Sequence, residues 1–404
     1  MFGRDGGIMA RNVDQDAVLW ARNVLLGSGR PSGRQEVDAC RVLATVSPAT
    51  YLPRLAQALV RLSWDFSVRE LPEAQLVLCA EAVDAARELD ESDPRHAEIL
   101  LHALEWYQRS LFELGRRPEG LAVREEMAGI SRRAVDADPD APLWEGLILW
   151  AHALAEEGRH GEAAALSEEF ARHPRPHQAR VGFSDWTLIA WAAEAEAAGL
   201  QEVALAVTRE LVEEEREQLA LGKGALKFLL HLLIRLAELH DAYGQQDAAA
   251  AALDEADGLL AELAARGEPQ QWSGNQYMYW AVLFGLSGRA EERPAPGRPA
   301  PPFGTYARHW TPDVRERYFA ELPALREAAA AADLPERMRL HRKLAVRSTL
   351  HCEFRHKHRF LEPALPALDE SVALARRLGD PGWTARTLLD RASVLTAGHR
   401  YADA

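Results

Sequence analysis

Basic charge is scarce in this 404-residue chain, and lysine scarcer still. Lys223, Lys227, Lys343 and Lys357 are its only lysines, and 47 basic residues face 61 acidic ones for a formal charge of −14. Phosphate backbones and anionic membrane surfaces both need a basic face, so neither nucleic acid nor membrane is expected as a partner. Cysteine is nearly absent: Cys40, Cys79 and Cys352 are odd in number and far apart, which gives no disulfide framework and no CxxC zinc motif. No apolar run reaches the roughly 18 residues a membrane helix takes. Residues 1–11 have no apolar stretch of the signal-peptide kind, and a cytoplasmic location is expected. Segments that alternate apolar and polar residues are missing as well, and strands with them. Nucleotide and catalytic motifs are equally lacking. The glycine-rich stretch from Gly27 to Gly33 has no Gly-Lys-Ser/Thr and reads as a turn. No HExxH motif, carboxylate pair or Ser/His/Asp set stands out. The expectation is therefore a protein that is not an enzyme, with no cofactor and no metal site.

Helix-forming sequence fills the space that these absences leave. Hydrophobic residues make up 48% and charged residues 27%, a globular balance. The stretch from Ile99 to Leu114 carries apolar residues at i, i+3 and i+4, and Ala, Leu, Glu and Arg dominate; these lose little side-chain entropy in a helix. Glycines punctuate the helices at Gly115, Gly158, Gly199, Gly244 and Gly288, at spacings of 43, 41, 45 and 44. Eight residues before each glycine stands a large residue: Tyr107, Trp150, Trp191, Leu236 and Trp280. A small residue follows it in four cases, as Ala151, Ala192, Ala237 and Ala281. Five residues after the glycine come Gly120, Ala163, Ala204 and Ala249, whereas the fifth unit has Arg293. The pattern extends weakly upstream to Trp20, Ala21 and Gly27, and downstream to Ala392, His399, Tyr401 and Ala404. A turn glycine supplies a left-handed helix cap, a large residue beside a small one makes a knob and a hole, and a small residue on the second helix permits close approach. Such hairpins bury their apolar faces only by stacking on one another.

Those residues resemble the tetratricopeptide repeat, most closely in Trp150, Ala151, Gly158, Ala163 and again in Trp191, Ala192, Gly199, Ala204. The likeness covers roughly residues 95–290 and the flanks loosely. The period of about 41–46 exceeds the family's 34, so longer helices are expected, and the closing proline occurs only irregularly, as at Pro139. The resemblance implies an all-α fold, a right-handed α-solenoid of stacked antiparallel hairpins running through residues 1–404 as one array. It also implies that the first helix of each hairpin lines a concave groove. Placed by the family's inward positions, the groove takes His102, Glu105, Arg109, Phe112 and Glu113; then Glu145, Ile148, His152, Ala155 and Glu156; then Trp186, Ile189, Ala193, Glu196 and Ala197; then His231, Ile234, Glu238, Asp241 and Ala242. Seven carboxylates, three histidines and one arginine flank an apolar strip of Ile148, Trp186, Ile189 and Ile234. The Lys and Asn of the family's carboxylate-clamp subgroup are missing. The expected partner is a protein or peptide of basic and apolar character, and Lys at 105, 145 and 238 should weaken its binding.

Three segments stand apart from the repeat. Residues 289–304, rich in proline, cannot be helical and read as an insertion between a first helix near 273–287 and a second near 312–331. Residues 335–404 form a basic, histidine-rich end. Within it, Arg337, Arg339, Arg342, Lys343, Arg347, Arg355, Lys357 and Arg359 face only Glu336 and Glu353. That helix reads as a solvated face, or as a docking face for an acidic partner or for an acidic part of this same chain. His341, His351, Cys352, His356 and His358 crowd it too. Cys352 and His356 can share a face but lack a third ligand. Trp272, Tyr277, Tyr279 and Trp280 are the densest aromatic group, and Glu213–Glu217 is an acidic helix end. The leading expectation is an interaction scaffold or adaptor. The alternatives are a regulatory sensor holding a signal peptide or small molecule in its groove, with a faint helix-turn-helix at 34–62, and an enzyme without a recognisable motif.

Overall fold

The computed structural model describes residues 14–27, 29–65, 67–68, 70–138, 144–172, 183–268, 276–356 and 359–404. They are all-α, with no strand among them, and build a helical repeat solenoid of successive hairpins. No helix among them is long and apolar enough to cross a membrane. The sequence reads as one array, and the described residues gather into two compact units, Met1–Leu147 and Ile148–Ala404.

The first unit runs through α1 (Gln15–Leu26), α2 (Gly33–Ala44), α3 (Pro48–Ser63), α4 (Pro72–Arg87), α5 (His96–Glu113) and α6 (Arg117–Ala137). Each helix packs on the next, and α3 packs on α5 as well. Local chemistry sets the starts: Ser32 and Gln35 form a reciprocal capping box on α2, and proline opens α3 and α4, where its missing N–H costs nothing.

The helix α7 (Glu145–Glu156) contains the division between the units. In the second unit follow α8 (His160–Arg172), α9 (Phe183–Ala197), α10 (Gln201–Ala220), α11 (Leu226–Ala242), α12 (Gln246–Arg266) and α13 (Gln276–Ser287). The turn glycines behave as their spacing predicts. Gly115, Gly158, Gly199 and Gly244 all sit in the left-handed region, at φ 71°, 78°, 77° and 75°. Each ends its helix with the same pair of bonds. Gly158 N–H donates to the Ala155 carbonyl and Arg159 N–H to that of Leu154, with counterparts at the other three. His399, at the repeat position of a glycine, is the one described non-glycine residue with positive φ, 60°, and it makes the same two bonds. The small residues after the turn do what they are needed for: Ala163 and Ala204 are fully buried, and a Cβ on Gly120 would lie 2.8 Å from the Phe112 ring.

Gly288 departs from the pattern. It begins a 3-10 turn, Gly288–Glu291, without positive φ, and its missing side chain makes room for Val346. The helix packed on α13 is consequently not the one at 312–331. That stretch forms α14 (Pro312–Ala320) and α15 (Leu322–Ala331), and α16 (Leu334–His356) lies against α13. Next come α17 (Leu361–Leu378) and α18 (Pro381–Ala397), and α18 also touches α11 and α13. A last turn, Tyr401–Asp403, packs on α12 and α18. The basic face of α16 meets acidic parts of this same chain. Arg347 lies 3.9 Å above the Tyr318 ring and pairs with Glu292 and Glu321, while Lys343 reaches Glu292 at 3.2 Å. Arg337 donates to the carbonyls that end α15.

Candidate functional site

In the first unit, α5 places His102, Glu105, Arg109 and Glu113 on one face, because positions three and four apart are neighbours on a helix. Trp106 shares that face and meets Trp64 edge-on, with ring centres 4.4 Å apart. The Arg109 guanidinium lies over both rings, at 5.1 and 5.5 Å, and its Nε donates to Glu113 at 3.1 Å. Phe112 is turned away and buried.

Glu105 is half-buried, 3.8 Å from His102. Burial, reinforced by the Glu145 carboxylate and only partly offset by Arg109, pushes its carboxyl up to about 7. Desolvation raises Glu145 too. A carboxyl whose pKa is higher folded than unfolded binds extra protons in the folded state, so the stability it lends falls as pH rises from about 4.5 to about 7 and stays lost above that. Glu105→Gln is therefore expected to raise the urea midpoint at pH 8 and to change it little at pH 4. An equal change at both pH values would show that Glu105 ionises normally.

The second unit treats its first-helix face differently. Residues 292–311 fold back across α7 and α9 as a strap. Gly297 N–H donates to the Gly158 carbonyl at 3.0 Å. The buried ring of His160 bridges the Arg298 carbonyl, 3.0 Å from Nε2, and Glu194, 2.9 Å from Nδ1. Thr311 gives its N–H and its hydroxyl to the two oxygens of buried Glu156, at 2.8 and 2.7 Å. Gly304 is seated so closely on α9 that a Cβ there would lie 2.7 Å from Ala193 Cβ and 2.8 Å from Ala190 Cα. Phe303, Tyr306 and Trp310 of the strap are buried; Phe303 and Trp310 pack edge-on against Tyr318, and the Tyr306 hydroxyl donates to Glu353.

This covers much of the expected groove. Glu156 holds the strap, His152 stacks on its His309, and Ala155, Ile189, Ala193 and Ala197 are buried. Trp186 is half-buried and stacks on Tyr279 at 4.1 Å. On α11, His231 is buried and pushed down to about 3, by burial first and Lys227 second. Ile234 is buried, and Glu238 and Glu196 are both paired with Arg235. Asp241 and Ala242 are exposed, and Asp241 accepts from Gln246. The open carboxylate face among the expected residues is that of α5 with Glu145. A lysine at 238 would break the ion pair with buried Arg235, so it no longer tests a groove.

Between the strap and α7, α8 and α9 remains a cavity of about 190 Å³. Ile148, Phe170, Trp186 and Met278 form apolar walls, and His152 and His309 border it. Of the aromatic group expected near 272–280, Trp280 is core and stacks on Phe284 and Phe360. Trp272 and the Tyr277 side chain lie outside the described residues, as does His358. His351 packs on Phe319, and no group of three or more His, Cys, Asp or Glu among the described residues could hold a metal.

No protein-family model matches the chain, and no curated protein matches it. Among solved structures the chain is similar to a circular tandem repeat protein with novel repeat topology and enhanced subunit contact surfaces. The identity is 18% over 96% of both chains, with a TM-score of 0.25, a likeness too loose to bear on fold or function.

Proposed function

We propose that the chain is a tetratricopeptide-like interaction scaffold of the cytoplasm, without catalytic role. Its α5 face takes a partner segment in which arginine or lysine alternates with apolar residues. The observation that supports this is half-buried Glu105, its carboxyl raised by burial and by the Glu145 carboxylate, next to Trp106 and its partner Trp64. A carboxyl held up to about 7 by burial gains more from an incoming cation than a solvated one does. The aromatic pair offers ring faces for the same cation, and Arg109 already uses one side of them.

Panning a random peptide library against the full chain tests this. Enrichment of peptides with Arg or Lys flanked by apolar residues is expected. Their affinity should rise between pH 6 and pH 8 as Glu105 ionises, and fall at least tenfold in Glu105→Lys/Glu145→Lys. Enrichment of acidic peptides, or binding indifferent to that double variant, would remove the α5 face from consideration.

A further inference from the structure

The strap leaves a hole where packing would ordinarily close one. Ala151 on α7 and Ala190 on α9 are small and line the space, and Gly304 lets the strap close tightly on α9 at its edge. The space measures about 190 Å³ and is partly open to solvent, so a small molecule can reach it. Its size exceeds the engineered apolar cavity of about 150 Å³ that accepts benzene. Its walls are apolar, and its polar border consists of imidazoles and hydroxyls, those of His152, His309, Ser167, Thr187 and Thr305. No acid and no cation lines it among the described residues.

We propose that this cavity is a binding site for a neutral, ring-sized apolar molecule with one hydrogen-bonding group, of the phenol or indole kind. The walls fit a ring in size and polarity. A charged ligand would enter without a counter-ion, which burial penalises heavily. The stacked His152 and His309 rings, 6.5 Å apart and within 7° of parallel, set a polar edge on an otherwise greasy site. Burial lowers the His309 pKa, with Arg308 adding to the effect, which favours its uncharged form. The site is independent of the α5 face, and the failure of either leaves the other standing.

Calorimetric titration of the full chain at pH 7 with indole, 4-methylphenol and 4-methylbenzoate tests the assignment. The two neutral probes should bind once per chain, with dissociation constants on the order of 10⁻⁴ M. The benzoate, similar in size but charged, should bind at least tenfold more weakly. Ala151→Leu, which pushes three more carbons into the space, should weaken indole binding at least tenfold. Saturating indole should slow amide exchange at 304–311 in the unaltered chain. Absence of saturable binding by both neutral probes, or equal binding of the benzoate, overturns the proposal. So does indole binding that survives in Ala151→Leu. If that variant does not fold, the exchange map decides: slowing at 304–311 supports the site, and slowing elsewhere alone overturns it.

Discussion

Arg342→Ala is expected to lower the stability of residues 148–404 by about 3–5 kcal/mol, the range for breaking one partner out of a buried ion pair. Arg342 is 1% exposed. Its Nε and Nη2 fork onto the two oxygens of Asp390 on α18, both at 2.8 Å, and Nη1 reaches Glu291 at 2.6 Å. Nη2 also donates to the Ser287 hydroxyl at the end of α13. One guanidinium thus ties α13, the turn after it, α16 and α18. Alanine would leave two carboxylates, on side chains 2% and 3% exposed, without that cation. Burial already raises the Glu291 carboxyl, and the attraction of Arg342 is the main force opposing it. Lysine should not rescue the variant, since an ammonium cannot reproduce a planar fork. Arg342→Met/Asp390→Leu should recover part of the loss, because apolar packing replaces a pair whose desolvation was expensive. The measurement is the urea midpoint of the transition that carries amide protection in α16 and α18. The gap between variant and parent should narrow as pH falls, because Glu291, already raised by burial, takes up a proton once its cation is gone. A loss under about 1 kcal/mol would mean that the network is solvated rather than buried.

Helices and turns are legible because their causes are local. A left-handed residue after a helix demands glycine or a tolerant substitute, and the spacing that selects Gly115, Gly158, Gly199 and Gly244 also places His399 in that conformation. Gly288 marks the limit of this reading. A glycine is equally useful where a neighbour presses in, and there it yields to Val346 instead of making a turn. The basic character of α16 is plain in the sequence, yet its partners Glu291, Glu292, Glu321 and Asp390 are among dozens of acidic residues, and residue type alone does not choose between them. The strap is the least legible element. Its anchors join positions 138 and 155 residues apart, and two of the acceptors involved are backbone carbonyls, which no side-chain pattern announces. The run from Phe303 to Trp310 held one usable signal: three large aromatics directly after a proline-rich stretch are too apolar for a solvated loop.

The repeat itself supplies the control for a test of that strap. Gly158→Ala and Gly199→Ala alter the same cap, with the same two backbone bonds and φ of 78° and 77°. An alanine in that conformation costs roughly 1–2 kcal/mol wherever it stands. Around Gly199 an added Cβ meets nothing within 4 Å, so that cost is the whole effect expected there. At Gly158 the Cβ would lie 2.8 Å from the backbone carbons of Gly297 and Arg298, and a backbone pinned by neighbouring bonds cannot swing aside as a side-chain tip does. The strap must lift, which loosens the Gly297 bond to the Gly158 carbonyl and the His160 bond to Arg298. Overpacking of this kind adds about 1–3 kcal/mol. Gly158→Ala should therefore fall further than Gly199→Ala by that margin, and it alone should speed amide exchange across 297–311. Chymotrypsin should cut it after Phe303, Tyr306 or Trp310, each at most 5% exposed while the strap is seated. Trypsin has one site in the strap, after Arg308, because Arg293 and Arg298 both precede proline. Equal losses in the two variants, with exchange at 297–311 unchanged in both, would show that the strap does not rest on Gly158 in solution.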